Sequence, residues 1–76
     1  VGKEGSEEIY ILEADLGNGV SLSLDFLIYR DVDPFAEING VEVHLGGTIE
    51  GYRVKAIARD RVTLSNGRRT VVLRAP

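Results

Sequence analysis

The 76-residue sequence contains no cysteine, methionine or tryptophan, and it has only one histidine and two prolines. Without cysteine the chain can form neither a disulfide framework nor a thiolate metal site, so its stability has to come from close packing of aliphatic side chains. No segment approaches the roughly 20 consecutive apolar residues of a membrane span, and no basic stretch followed by an apolar core indicates a signal peptide. The composition therefore predicts one small domain with a single thin core.

The sequence has no initiating methionine, which indicates that the domain comes from a longer protein. The chain begins with Val1. We therefore expect it to be one part of a longer protein, with any membrane anchor or export signal in the part removed.

Acidic and basic residues are unevenly distributed along the sequence. Residues 1–50 carry 11 acidic and two basic residues, whereas residues 51–76 carry one acidic and seven basic residues. In a domain this small the two halves can interleave as strands, so we expect their charges to neutralise each other on a solvated surface. A charged face for nucleic acid or for an acidic partner is the alternative.

Alternation of apolar and polar residues over 20–29 predicts a long strand with one face in the core. The run 9–12 is also rich in β-forming residues, and Gly17-Asn18-Gly19 supplies the positive φ angles of a reversal, so 9–29 is predicted to be a hairpin. Asn39-Gly40 predicts a second hairpin, with a type I′ turn. Strands over 52–58, 61–64 and 68–73 then form a three-stranded meander.

These patterns predict an all-β fold, a small antiparallel β-sandwich or partly open barrel of about six to seven short strands. Residues 1–8 are assigned to a flexible lead-in and residues 9–76 to a single β domain. If Val54 and Ile57 are both buried, a β-bulge must lie between them. The predicted core comprises Val20, Leu22, Leu24, Phe26, Ile28, Ile38, Val41, Val43, Tyr52, Val54, Val62, Leu64, Val71 and Leu73.

Candidate catalytic and metal-binding residues are few. His44 would need an orienting acid and a nucleophile to act as a general base, and no spacing links it to Ser21, Ser23 or Ser65, so a structural histidine is favoured. Asp31-x-Asp33 lacks the further oxygen ligands and the glycine of a calcium loop and is typical of a turn before proline. The sequence therefore predicts no enzyme, no metal site and no cofactor, with a hydrolase centred on His44 as the least favoured alternative.

Basic residues are predicted to share the outer face of the C-terminal strands. Ile57 and Val72 fall among them, and apolar groups ringed by arginine are typical of a protein-binding patch. Only Tyr52 of the five aromatic residues lies in this part of the chain, which disfavours nucleic acid, although a small nucleic-acid-binding β-barrel remains the alternative. The predicted partner-binding residues are Arg53, Lys55, Arg59, Arg61 and Arg68.

A family resemblance covers about three fifths of the chain. It is carried by Tyr29-Arg30-Asp31-Val32-Asp33-Pro34, Ile38-Asn39-Gly40, Gly51-Tyr52-Arg53-Val54, Ile57, Asp60, Val62, Leu64, Gly67-Arg68 and Leu73. This pattern resembles the periplasmic C-terminal domain of type II secretion assembly protein B. It is also similar to the homology region of type II secretion protein C and to the type IV pilus lipoprotein P.

The resemblance implies a non-enzymatic periplasmic module, tethered to the inner membrane by a preceding helix, that assists secretin assembly or couples the inner to the outer membrane. Its implied partners are the secretin periplasmic domain and the inner-membrane assembly ATPase complex, with peptidoglycan as a further candidate. The matched positions are structural in these families and transfer no catalytic residue. Because a small sandwich keeps open sheet edges, we expect binding by strand addition, with the basic residues selecting an acidic partner.

Overall fold

The computed structural model describes residues 7–76 of the protein. These residues contain no helix, and so none that could cross a membrane. They form a five-stranded sheet of order β1-β9-β8-β7-β6 and a four-stranded sheet of order β2-β3-β4-β5, which confirms the predicted all-β fold. The strands are β1 (Glu7–Ile11), β2 (Glu13–Gly17), β3 (Val20–Ile28), β4 (Phe35–Ile38), β5 (Val41–His44), β6 (Thr48–Ile49), β7 (Tyr52–Ile57), β8 (Arg61–Ser65) and β9 (Thr70–Arg74).

Three tight turns connect neighbouring antiparallel strands. Asn18-Gly19, Asn39-Gly40 and Glu50-Gly51 each have positive φ at both residues, which is the geometry of a type I′ turn. The hairpin predicted at Asn39-Gly40 is therefore confirmed. The turn at Glu50-Gly51 joins β6 to β7, and the sequence did not predict this pair because β6 has only two residues.

The predicted hairpin over 9–29 is confirmed from β2 onward, with its reversal at Gly17-Asn18-Gly19, but is wrong for residues 9–11, because the chain changes sheets at Leu12. The Leu12 amide donates to the Arg74 carbonyl at 2.9 Å in the five-stranded sheet, and its carbonyl accepts from the Leu24 amide at 2.7 Å in the other. Its φ of +67° breaks the run into two strands. Of the first two strands, only β2 pairs with β3, whereas β1 pairs with β9.

Strand β1 accounts for two further differences from the prediction. It runs parallel to β9, so the neighbours are not antiparallel throughout. It begins at Glu7, so Glu7 and Glu8 are strand residues and not part of the predicted lead-in; residues 1–6 of that lead-in lie outside the described residues. With β1 separated from β2 and β6 added, the described part of the chain has nine strands where six to seven were expected.

β-Bulges decide which side chains of β3 and β7 face the core. In β7 the pairing with β8 shifts between Val54 and Ala56, so Val54 and Ile57 are both buried and the conditional prediction is confirmed. In β3 the pairing with β4 shifts between Leu24 and Phe26. Because one extra residue reverses the alternation, Phe26 points outward.

The core between the sheets is entirely aliphatic apart from Tyr52, and ten of the predicted core residues are buried. Phe26, Ile28 and Val41 are exposed instead, and Val20 is only partly buried. The bulge in β3 explains the first two, and Val41 lies on the edge strand of its sheet. The buried residues that the sequence did not predict are Ala14, Leu16, Ala36, Ile49, Ile57 and Val72.

Candidate functional site

The two sheets carry opposite charge. Strands β2 to β5 with their connections, residues 12–47, contain seven carboxylates and one arginine, a net charge of −6. The five-stranded sheet and its turns, residues 7–11 and 48–76, contain seven basic and four acidic residues, a net charge of +3. Among the described residues, only β1 and the two-residue β6 of the acidic half join the five-stranded sheet, so the two halves fold largely into separate sheets and the expected neutralisation between interleaved strands is wrong.

Three of the five predicted partner-binding residues share one end of the five-stranded sheet. Arg53 and Lys55 line a shallow cleft of about 350 Å³ together with Gly67, and Arg68 follows Gly67 in the β8–β9 turn. The Arg53 guanidinium donates to the Gly46 carbonyl at 3.1 Å, which fixes its direction. This end of the sheet therefore presents two cations in one depression and a third, Arg68, in the adjoining turn.

Arg59 and Arg61 lie at the opposite end, at the β7–β8 turn. The register pairs Arg53 with Ser65 and Arg61 with Arg74, which separates the two groups by four residues, roughly 13 Å along the strands. Arg61 donates to the Asp60 carboxylate at 3.2 Å and holds the pKa of Asp60 below its usual value. The five predicted residues thus form two groups and not one continuous face.

The apolar residues expected among the arginines are not exposed. The side chain of Ile57 points inward after the β7 bulge. Val72 lies on the outer side of β9 but is only 2% exposed. The register places Ile9 and Thr63 on either side of Val72. Ile9 and Ile11 on β1, 58% and 67% exposed, are the large apolar side chains that this surface presents.

His44 lies on the outer side of the four-stranded sheet between two carboxylates. Its Nδ1 contacts Asp33 Oδ1 at 2.7 Å and its Nε2 contacts Glu42 Oε2 at 2.7 Å. These two hydrogen bonds raise the pKa of His44 above its usual value, and the one with Asp33 has the larger effect. Its ring also stacks on Phe35 with centroids 5.6 Å apart.

The ring nitrogens of His44 contact two carboxylates, those of Asp33 and Glu42. Within residues 7–76 no serine is hydrogen-bonded to the imidazole. In the same range no group of three or more His, Cys, Asp or Glu side chains has the geometry to hold a metal ion. Asp33 has a φ of +55° in the turn that precedes β4, and its carboxylate orients His44. The chemistry that this arrangement supports is ion pairing.

Arg69 forms a link between the two sheets that the sequence did not predict. Its Nε and one terminal nitrogen donate to both oxygens of Glu8 in β1, at 2.9 and 2.6 Å. The other terminal nitrogen donates to the Leu16 carbonyl in β2 at 3.0 Å. The Tyr10 hydroxyl also donates to Glu8, at 2.8 Å. The hydrogen bonds from Arg69, and to a smaller extent the one from Tyr10, lower the pKa of Glu8 to about 2.

A second surface, also missed from the sequence, is formed by Phe26, Ile28, Phe35 and His44, which we call the aromatic face. The register aligns Ile28, Phe35 and His44 across β3, β4 and β5. Phe26 lies in the next row, edge-on to Phe35 with centroids 6.3 Å apart. Alternation assigned Phe26 and Ile28 to the core, and only the bulge in β3 turns them outward.

Comparison of the chain with protein-family models, with curated protein sequences and with solved structures finds no match.

Proposed function

We propose that the chain is a non-enzymatic, periplasmic protein–protein interaction module of a type II secretion or type IV pilus system. In this proposal it follows an inner-membrane anchor and assists secretin assembly or inner-to-outer-membrane coupling. Its partners are the secretin periplasmic domain and the inner-membrane assembly ATPase complex, with peptidoglycan as a further ligand. The family resemblance of residues 29–73 supports this assignment.

The structural observation that carries the proposal is the separation of charge between the sheets. Surface potentials of one sign select partners of the other sign and speed their encounter. The three cations at the cleft end of the sheet, Arg53, Lys55 and Arg68, are in no ion pair with another described residue, whereas Arg61 is paired with Asp60. The cleft end of the five-stranded sheet is therefore the favoured docking surface for an acidic protein.

The placement of the aromatic residues favours protein over nucleic acid as the partner. Single-stranded nucleic acid is bound by aromatic rings that alternate with cations on one surface. Here Phe26, Tyr29 and Phe35 belong to the acidic four-stranded part, Tyr52 is buried and Tyr10 packs against the core. The exposed rings thus belong to the four-stranded part, and the cations of the cleft lie on the other sheet.

The test is the rate of association with a secretin periplasmic fragment. Charge reversal in the double variant Arg53→Glu/Lys55→Glu should slow association by roughly tenfold or more at low salt and reduce its dependence on ionic strength. Far-UV circular dichroism should be unchanged because both side chains are exposed. The matched control is Arg59→Glu/Arg61→Glu, which changes the net charge equally at the other end of the sheet.

The control variant should slow association much less. If the cleft variant bound with an unchanged on-rate at low salt, the cleft would not be the docking surface. Equal slowing by both double variants would show that net charge, and not the cleft, controls the encounter. Absence of binding by the unaltered protein would count against the secretin as its partner.

A further inference from the structure

The aromatic face exposes large apolar side chains on a domain with little surface. Phe26 is 47% exposed and Ile28 is 38% exposed. Tyr29 and Val32, in the segment that leads from β3 to β4, are also exposed. Contiguous apolar groups with a polar rim are typical of interaction sites on small soluble domains.

The rim of the aromatic face is acidic. Glu37 and Glu42 stand opposite each other on β4 and β5, and Glu37 is also the cross-strand neighbour of Phe26. Among residues 7–76 no ion pair includes Glu37, Asp25 or Asp31. Most of the −6 charge of this part of the protein is therefore left without a cation of its own.

Two aromatic rings of this region each have an arginine of the protein over them. The guanidinium carbon of Arg30 lies 5.2 Å from the centroid of Phe35, and that of Arg59 lies 5.4 Å from the centroid of Tyr29. These are cation–π distances. Phe26, which has a carboxylate beside it and no such cation among the described residues, offers the same kind of site to an external cation.

We propose that the aromatic face is a second docking surface, which binds a protein segment carrying lysine or arginine next to apolar side chains. The apolar groups of the segment pack on Phe26 and Ile28, and its cation lies over Phe26 against the Glu37 carboxylate. Lysine and arginine suit this position because their aliphatic stems cover apolar surface while the charged group reaches the carboxylate.

The charge of the surface argues against the other occupants. An anionic lipid surface would be repelled by the −6 charge of this part of the protein. A second copy of the chain would offer the cations of the cleft, but Arg53 and Lys55 lie there among Thr48, Ser65 and Asn66 and not next to large apolar side chains, which the occupant must also supply. The inference is independent of the proposed secretion function, because it concerns the opposite sheet and needs no particular partner.

The experiment is a titration of the isotope-labelled full chain with three short peptides, followed by amide chemical shifts. The first peptide alternates arginine and leucine, the second has glutamate in place of arginine, and the third has serine in place of leucine. We expect the arginine–leucine peptide to bind most tightly and to shift amides of β3, β4 and β5. Equal binding of the glutamate peptide, or shifts confined to the five-stranded sheet, would overturn the proposal.

Variants with matched controls test the named contacts. Phe26→Ala and Glu37→Lys should each weaken binding of the arginine–leucine peptide by roughly three- to tenfold. The controls Ile9→Ala and Glu7→Lys make similar changes at exposed positions of β1 and should leave the affinity unchanged. Unchanged affinity in both Phe26→Ala and Glu37→Lys would contradict the proposal.

Two measurements without peptide test the other occupants. Sedimentation equilibrium should give the mass of a monomer in both the unaltered protein and Glu37→Lys. A dimer abolished by Glu37→Lys would identify a second copy as the occupant, and flotation with vesicles abolished by Phe26→Ala would identify a membrane; either result overturns the proposal. The cleft variant Arg53→Glu/Lys55→Glu should still bind the peptide. A loss of peptide binding at the aromatic face can therefore be distinguished from a loss of secretin binding at the cleft.

Discussion

Arg69 and Glu8 are 61 residues apart in the sequence, yet the guanidinium of Arg69 donates hydrogen bonds to both oxygens of the Glu8 carboxylate. Glu8 lies in β1, and the same arginine reaches the Leu16 carbonyl in β2. Arg69 therefore joins the β8–β9 turn to both strands that flank the crossing at Leu12. A bidentate pair of this kind is stronger than a single-point surface ion pair because its geometry is fixed.

Stability should fall at low pH because of this pair. The pKa of Glu8 is lowered in the folded protein to about 2, so its contribution is complete above the unfolded value of 4.5 and is lost as the pH falls toward about 2. We expect the Tm of the unaltered protein to drop more steeply across that window than the Tm of Glu8→Gln. At pH 7 the variant should melt a few degrees lower.

Glu7→Gln is the control for this experiment, because Glu7 is exposed on the same strand and is in no ion pair within residues 7–76. It should leave the pH dependence unchanged. A Glu8→Gln profile that parallels the unaltered protein between pH 4.5 and 2 would contradict the role given to the pair.

His44 should titrate above its ordinary pKa of about 6.5, because Asp33 and Glu42 both stabilise the imidazolium. Since the folded pKa is raised, the stability that His44 contributes is complete below the unfolded pKa and is lost as the pH rises through the folded one. Proton NMR of the imidazole measures the midpoint. Asp33→Asn should lower it more than Glu42→Gln, and a midpoint unmoved by either change would contradict the assigned contacts.

Asn39 should stabilise the four-stranded sheet through β3 as well as through its turn. Its side chain accepts from the Ser23 amide at 2.8 Å and donates to the Ser21 carbonyl at 3.0 Å. Asn39→Ala removes both hydrogen bonds and should lower the free energy of unfolding by about 1–3 kcal/mol in urea denaturation. Asn18→Ala is the control, because Asn18 has a similar φ of 54° but no such hydrogen bonds among the described residues; an equal loss in both would assign the whole effect to the turn.

The bulge in β3 predicts opposite outcomes for two residues that share one face in a regular strand. Leu24→Ala should lower the free energy of unfolding by about 2–5 kcal/mol, because Leu24 is buried. Phe26→Ala should lower it by less than about 1.5 kcal/mol, because the ring is half exposed and lies edge-on to Phe35 at the surface. Guanidinium denaturation measures both, and comparable losses would mean that the alternation is unbroken.

Local sequence signals were sufficient where the physical cause is local. Asn39-Gly40 specifies its turn because both residues tolerate positive φ. The bulge in β7 could be anticipated because Val54 and Ile57 are both apolar but have opposite phases in a regular strand. The bulge in β3 was missed, because Phe26 and Ile28 continue the alternation that begins at Val20, and the one sign of the extra residue is Leu27, apolar in the opposite phase to Leu24.

The candidate surfaces depend on contacts between distant segments, which the sequence does not display. Leu12 is not a residue that marks a turn, so the change of sheet and the parallel pairing of β1 with β9 were missed. Basic residues at 53, 55, 59, 61 and 68 were assigned to one face by strand phase alone, and the bulge and the turns divided them. The aromatic face was missed for the same reason that Phe26 was placed in the core.

The parallel pairing of β1 with β9 also determines how the fold responds to a pulling force on the two ends of the chain. Glu7 lies opposite Thr70 and Ile11 opposite Arg74, so the chain enters this strand pair at one end and leaves it at the other. A force that draws the two ends apart slides the strands past each other and loads all the hydrogen bonds of the pair together, whereas a hairpin pulled at its open end yields one bond at a time. The sandwich is thus a stiff mechanical link along this direction.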